Sequence, residues 1–173
     1  MTKPNHTILL LLGCLAAVSV WASEGIDGVS TRLNADDLAV VSAGEAIYRD
    51  NCAACHGAQL EGQANWRERG ADGYLLAPPH DATGHTWHHS DDLLFEITKY
   101  GPNKALNDSE YKTRMPAYED VLSDDDIIAV LSFIKHSWPE EERAWQEHTN
   151  GGSEKSFKKL NKQPTLLDKL LGN

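Results

Sequence analysis

The chain has 173 residues and a formal charge of −10 at pH 7, since 26 aspartates and glutamates outnumber 16 lysines and arginines. This length fits one domain with extensions, because domains contain about 100–200 residues. The acidic balance argues against nucleic-acid binding, which needs a basic face toward the phosphates.

Residues 1–22 have the pattern of a signal peptide. The run from Ile8 to Val20 is apolar, follows Lys3 and is too short to cross a bilayer comfortably. Small residues precede the expected cleavage point after Ala22, so we expect an exported protein. Two alternatives stay open: an uncleaved anchor, and a lipid anchor at Cys14, because Leu12-Gly13-Cys14 resembles a lipoprotein cleavage box.

A helix is predicted after a polar, glycine-containing stretch at residues 23–36, which we interpret as a flexible lead. From Asp36 to Asn51, apolar positions recur at three- and four-residue steps. The stripe consists of Val40, Val41, Gly44, Ile47, Tyr48 and Asn51. A glycine inside a helix costs about 1 kcal/mol relative to alanine. Close approach of another backbone would explain Gly44, and a tolerated glycine is the alternative.

The next five residues, Cys52-Ala53-Ala54-Cys55-His56, have the spacing for covalent haem attachment followed by an iron ligand. Each thiol can add to a porphyrin vinyl group, and a neutral ring nitrogen of His56 is a good ligand for the iron. A thioredoxin-like pair is expected beside a βαβ pattern, and a structural zinc site needs more ligands. One covalently bound haem c is therefore predicted, and its attachment outside the cytoplasm indicates the periplasm.

Residues 57–89 are rich in glycine, proline and polar residues, which predicts a long loop that covers the haem. The apolar patch Leu75-Leu76-Ala77-Pro78-Pro79 is expected on the ring. Trp66 and Trp87 are expected to contact the haem or to pack in the core. Four histidines follow within ten residues, at His80, His85, His88 and His89.

Three further helices are predicted. Ser90 caps one from Asp91 to Tyr100, with Leu93, Leu94, Ile97 and Tyr100 as its buried face. Ser123 and Asp126 resemble a capping box and open the clearest helix, which Pro139 ends. Its apolar stripe is Ile127, Val130, Leu131 and Ile134. A polar helix is expected over residues 139–149. No run predicts a strand, so the fold class is mostly α.

A second iron ligand opposite His56 is expected from methionine or histidine. Met115 is the only methionine besides the initiator Met1. Its place in a loop, held by Pro116, favours a ligand over ordinary core packing. The competing donors are His80, His85, His88 and His89, any of which would give a bis-histidine haem.

The arrangement resembles a known family, the class I c-type cytochromes. The resemblance covers about residues 40–138 and rests on three segments: Cys52-Ala53-Ala54-Cys55-His56-Gly57, Met115-Pro116-Ala117-Tyr118, and Leu122-Ser123-Asp124-Asp125-Asp126-Ile127. It implies thioether bonds at Cys52 and Cys55 and axial ligation by His56 and Met115. The implied fold has three to five helices wrapped around one covalently bound haem. The cytochrome domain then spans residues 37–138.

Two contacts are also implied by the resemblance. The first and last helices should cross, with Gly44 and Tyr48 meeting the last helix near Val130 and Ile134. The carbonyl of Pro78 or Pro79 should accept a hydrogen bond from His56, which would raise the donor strength of that ring. The chain departs from the family pattern in its longer loop before Pro78 and in a helical, basic extension at residues 139–173.

We therefore expect a monohaem cytochrome that carries single electrons between protein redox partners and is not an enzyme. The alternatives are a cytochrome subunit of a haem enzyme, and a copper-handling redox protein that uses the histidines from His80 to His89. Residues 151–173, with five lysines against two acids, are expected to dock on a partner or on the acidic body. Membrane contact through a lipid anchor or this tail is not favoured.

Overall fold

The structure, a computed structural model, describes residues 32–151. Within them it has six helices, one 3-10 turn at Thr86–His88 and no strand beyond an isolated bridge between Arg69 and Leu75. The helices are α1 (Leu38–Asn51), α2 (Ala53–His56), α3 (Asp91–Tyr100), α4 (Pro102–Ala105), α5 (Asp124–His136) and α6 (Glu140–Thr149). The mostly α prediction is confirmed. The signal peptide and most of the basic tail lie outside the described residues.

Side chains fix the starts of the three helices that frame the molecule. Asp37 caps α1 by accepting the amide of Ala39 at 2.9 Å, so this helix begins at Leu38. Ser90 caps α3 as predicted. Ser123 and Asp126 form the predicted capping box of α5. Each cap satisfies amides that the first helical turn leaves without a backbone partner.

The crossing of α1 and α5 forms the centre of the core. A Cβ on Gly44 would collide with the backbone carbonyl of Ala129, so the glycine permits the close approach. The Tyr48 ring lies 5.4 Å from that of Phe133. The predicted crossing is confirmed. Gly44 and Tyr48 meet Ala129 and Phe133, each one position before the expected Val130 and Ile134. The core comprises Leu33, Tyr48, Leu60, Leu94, Phe95, Ile127, Ile128, Val130, Leu131, Ile134 and Trp138.

The buried face of α3 differs from the prediction. Its buried residues are Asp91, Leu94, Phe95 and Thr98, whereas Leu93, Ile97 and Tyr100 are only half-buried. The face is rotated because Asp91 turns inward to accept the amide of Leu33 at 3.1 Å. A charged group at the start of the helix therefore decides which apolar residues reach the core.

The predicted polar helix at residues 139–149 is confirmed as α6, and buried polar groups join it to the body. Gln146 is fully buried and donates to the carbonyl of His89. Lys135 is also buried, and its Nζ lies 2.7 Å from Glu147 and 3.6 Å from Asp91. Paired charges and hydrogen bonds make such burial tolerable.

The described end of the predicted lead is packed rather than free. Leu33 and Ala35 are buried, the amide of Asn34 donates to Ser132, and His136 bonds to the carbonyl of Ala35. Residues 32–36 are thus part of the body. The rest of the predicted lead lies outside the described residues. No helix that the structure describes is long and apolar enough to cross a membrane.

Candidate functional site

The cysteines and the histidine of the attachment motif lie on one turn. Cys52 ends α1 and starts α2, and the amide of His56 donates to its carbonyl at 2.9 Å. Gly57, with φ of 83°, ends the turn in a conformation that favours glycine. Cys52 is half-buried and Cys55 is exposed. The motif therefore presents two thiols and an imidazole from a single turn.

Burial distinguishes the Cys52 thiol from the exposed Cys55. Burial, with a smaller contribution from Cys55, raises the pKa of Cys52 to about 11. Catalytic dithiols need a thiol whose pKa is lowered, because the thiolate is the nucleophile. Cys52 is therefore not the activated thiol that such a dithiol needs.

His56 is buried and already oriented. Its Nδ1 lies 2.9 Å from the carbonyl oxygen of Pro78, so the ring donates from Nδ1 and keeps the lone pair on Nε2 for a metal. Burial lowers the pKa of His56, and the Pro78 carbonyl opposes this effect. Of the two expected acceptors, the structure assigns Pro78, because the Pro79 carbonyl faces the hydroxyl of Thr86.

Two glycines hold the proline pair against the motif. A Cβ on Gly62 would collide with the backbone of Pro78 and Pro79, and one on Gly84 would collide with the Pro79 carbonyl. The amide of Gly62 in turn donates to the carbonyl of His56 at 2.7 Å. These close approaches fix the Pro78 carbonyl where the His56 ring can reach it.

Met115 lies half-buried in a loop whose C-terminal end is tied to α1 and α3. Its amide donates to the hydroxyl of Thr113 at 3.1 Å. The hydroxyl of Tyr118 donates to the carbonyl of Asn51 at 2.8 Å. The backbone amide of Tyr118 donates to the carbonyl of Thr98, near the end of α3. The Tyr118 contact joins the methionine loop to the last residue of α1, one position before Cys52.

The two long loops meet beside these residues. The amide of Leu75 donates to the carbonyl of Lys112 at 2.9 Å, and Arg114 forms an ion pair with Asp72. Leu75, Leu76 and Ala77 are all half-buried. Their contacts bring the loop after the attachment motif against the loop that carries Met115.

The predicted histidine cluster does not form a metal site. His85 stacks on Trp66 with ring centroids 5.2 Å apart, His88 stacks on Trp87 at 3.8 Å, and His89 meets His85 edge-on. Among residues 32–151, no group of three or more histidine, cysteine or acidic side chains is arranged to hold a metal ion. The structure therefore does not support the alternative of copper binding by these histidines, because their rings pack against other aromatic rings.

His80 is not placed to be the sixth ligand either. Its ring lies face to face with that of His56, with centroids 4.0 Å apart and planes at 21°. The lone pairs of imidazole lie in the ring plane, so two stacked rings cannot bind one iron from opposite sides. The stacked arrangement therefore argues against His80 as a competitor of Met115.

Sequence reasoning missed two residues that support the site. Tyr48 is buried, and its hydroxyl donates to the carbonyl of Gly57 at 2.8 Å, which closes the attachment turn. Burial, followed by the charges of Cys52, Glu61 and Asp81, raises the pKa of Tyr48 above its usual range, so the hydroxyl keeps its proton. Tyr118 was noted only as part of a motif. Tyr118 lies five residues before the predicted cap Ser123, and nothing local signals its partner Asn51, 67 positions earlier in the chain.

The donor set fits a covalently bound haem. Cys52 and Cys55 supply the thioether sulfurs from one turn, and His56 offers one free ring nitrogen because the other is bonded to Pro78. A family model described as Cytochrome c matches residues 41–138, which is more than half of the chain. No curated protein and no solved structure matches the sequence.

Proposed function

Because the chain belongs to the cytochrome c family, we propose that it is an exported, monohaem electron carrier whose iron is ligated by His56 and Met115. The family establishes a haem-binding, electron-transfer protein in general terms. The number of haems, the ligand pair and the compartment are the specific content of the proposal.

The observation that carries the proposal is the bond between His56 Nδ1 and the Pro78 carbonyl. It leaves one ring nitrogen available and raises the basicity of the ring, as hydrogen-bond acceptors do for metal-bound histidines. When bound, haem c supplies the one-electron couple between ferrous and ferric iron. Cys52 and Cys55 anchor the group, and His56 holds a neutral nitrogen toward it.

Met115 is proposed as the sixth ligand because it is the only methionine apart from the initiator. The position of its loop supports this role, since Tyr118 ties the loop to the end of α1 beside the attachment turn. The engagement of the competing histidines with other rings also favours it. A thioether ligand raises the reduction potential relative to a second histidine.

Export to the periplasm is proposed from the signal-peptide pattern at residues 1–22 and from the covalent attachment motif. The partners are proposed to be redox proteins with a basic docking surface. Acidic side chains crowd the first turns of α5 and α6, at Asp124, Asp125, Asp126, Glu140, Glu141 and Glu142. Opposite charge on a partner would increase the rate of association.

Carbon monoxide binding to the ferrous protein tests this function against the haem-enzyme alternative. An electron carrier with both axial positions filled shows no carbon monoxide spectrum at neutral pH. Met115→Ala should bind carbon monoxide, because it opens the sixth position, whereas the matched control Leu106→Ala, on an exposed neighbouring turn, should not. Ready binding by the wild type would instead indicate an open site and an enzyme or gas-binding role.

A further inference from the structure

His80 has an unusual place for a histidine, because it covers one face of His56. The ring centroids are 4.0 Å apart and the planes are inclined by 21°. The face of the His80 ring, rather than a nitrogen, therefore meets the His56 ring. No acid–base or ligand role toward His56 explains such a contact, and an aliphatic side chain would fill the same space.

Three hydrogen bonds fix the His80 residue. Its amide donates to the carbonyl of Leu60 at 2.7 Å, and its carbonyl accepts the indole N–H of Trp138 at 2.7 Å. Its Nδ1 lies 2.8 Å from the hydroxyl oxygen of Thr86. The backbone bonds set the position of the residue, and the Thr86 bond sets the rotation of its ring.

The proton arrangement follows from the surroundings of Thr86. This hydroxyl donates toward the Pro79 carbonyl at 3.5 Å, so its oxygen is free to accept from Nδ1–H of His80. The Tyr48 ring, 6.4 Å away and inclined by 74°, presents an edge to His80. His80 is thus a neutral ring that is held on several sides before it meets His56.

We propose that His80 is a positioning residue, which fixes the plane of the His56 imidazole and lowers the reduction potential of the haem. The proposal rests on the proposed ligation of iron by His56. The Pro78 carbonyl restrains His56 through one ring nitrogen, and the His80 face restrains the whole plane. Rotation of His56 about its bond to a metal would strain the Pro78 bond and separate the stacked rings.

The effect on potential follows from the charge distribution of an aromatic ring. The face of a π system is negative, and it stabilises positive charge placed over it. A ligand imidazole carries more positive charge on ferric than on ferrous iron. The His80 face therefore stabilises the ferric state, so its removal should raise the potential.

Three variants separate the ring face from mere space filling. His80→Leu removes the face and should change the g values of the ferric protein in electron paramagnetic resonance, which report the ligand plane, and should raise the potential. His80→Phe keeps a flat ring, so its g values and its reduction potential should stay close to those of the wild type. Thr86→Val keeps the imidazole but removes the acceptor of its Nδ1–H, and should give an intermediate change in the g values.

The matched control is His88→Leu, since His88 is a stacked histidine on Trp87 with no contact to His56 among the described residues. It should leave the g values and the potential unchanged. Equal g values and potentials in the wild type and His80→Leu would overturn the proposal. If His80→Leu does not fold, His80→Gln takes its place and is compared with His80→Phe. Identical g values and potentials in His80→Gln and His80→Phe would also overturn the proposal. A wild type without histidine-ligated iron would instead refute the proposed function.

Discussion

The two sides of the candidate site are built differently. The histidine segment, which comprises residues 56–62 and 78–86, is buried around His56 and Pro79 and is cross-linked by backbone and side-chain hydrogen bonds. The methionine loop, residues 113–118, is exposed at Arg114, Pro116 and Ala117. It is held at its C-terminal end by the contacts of Tyr118 with Asn51 and Thr98, and just before its start by the bond between Leu75 and Lys112.

This difference predicts where the site opens first. Regions with few buried contacts and exposed backbone open at lower free energy than the core. The methionine loop should therefore release its ligand before the protein unfolds, whereas His56 should stay in place until the core is lost. The sixth position is then the adjustable side of the site, and the histidine segment is its rigid side.

Replacement of Gly62 should give the largest loss of stability. Gly62 and Gly73 both have positive φ, of 69° and 81°, but only a Cβ on Gly62 collides with backbone, that of Pro79. Both alanine variants pay about 1–2 kcal/mol for the left-handed conformation. Gly62→Ala should lose about 1–3 kcal/mol more through overpacking. Guanidinium unfolding of the pair measures the difference, and equal losses would contradict a rigid histidine segment.

Acid should lower the stability of the protein through His85, in the histidine segment, and His89, just after it. Burial lowers the pKa of His85, and the charges of His88 and Arg67 add to this effect. Burial also lowers the pKa of His89, with smaller contributions from His85 and His88. Below about pH 6.5 these histidines bind protons in the unfolded chain but remain neutral in the folded protein until the pH reaches their lowered pKa. The free energy of unfolding should therefore fall as the pH drops through that value toward the folded pKa.

Unfolding midpoints at several pH values between 5 and 7.5 check this dependence. The variant His85→Phe keeps the stack on Trp66 and removes one titrating group, so its stability should vary less with pH. His148→Gln, at an exposed position near the end of α6, serves as the control for a lost surface histidine. A His85→Phe profile as steep as that of the wild type would show that the acid sensitivity arises elsewhere.

Tyr118→Phe should have the smallest effect on global stability, about 1 kcal/mol for one hydrogen bond to the Asn51 carbonyl. Its effect on the sixth ligand should be clearer, because the bond ties the methionine loop to α1. The far-red methionine-to-iron band should disappear at lower guanidinium concentration than in the wild type. Tyr111→Phe is the control, since its hydroxyl makes no hydrogen bond among residues 32–151. Identical band loss in both variants would show that Tyr118 does not hold the loop.

Much of the fold was predictable because its signals are local. Ser90, Ser123 and Asp126 act within one helical turn, and the stripe of α5 follows the helical period. The rotation of α3 was not predictable, since it depends on Asp91 turning toward Leu33, 58 positions earlier in the chain. The single-turn helices α2 and α4 are too short for a periodic pattern.

The candidate site divides in the same way. The spacing of Cys52, Cys55 and His56 carries its own chemistry, and the structure places them on one turn. The choice between Pro78 and Pro79, and the stacking of His80, depend on how a loop folds back through Gly62 and Gly84. Four histidines in ten residues suggest a metal site by composition. That composition does not show that the His85 ring packs on the remote Trp66 or that the His88 ring packs on its neighbour Trp87.

The central claim is that His56, on the rigid side, and Met115, on the adjustable side, ligate the iron. The far-red absorption of the oxidised protein tests this claim most directly. The wild type should show a methionine-to-iron charge-transfer band. Met115→Ala should lose this band while it keeps covalently bound haem, because Cys52, Cys55 and His56 do not depend on the methionine loop. A wild type without the band, together with an unchanged low-spin spectrum in Met115→Ala, would contradict the account.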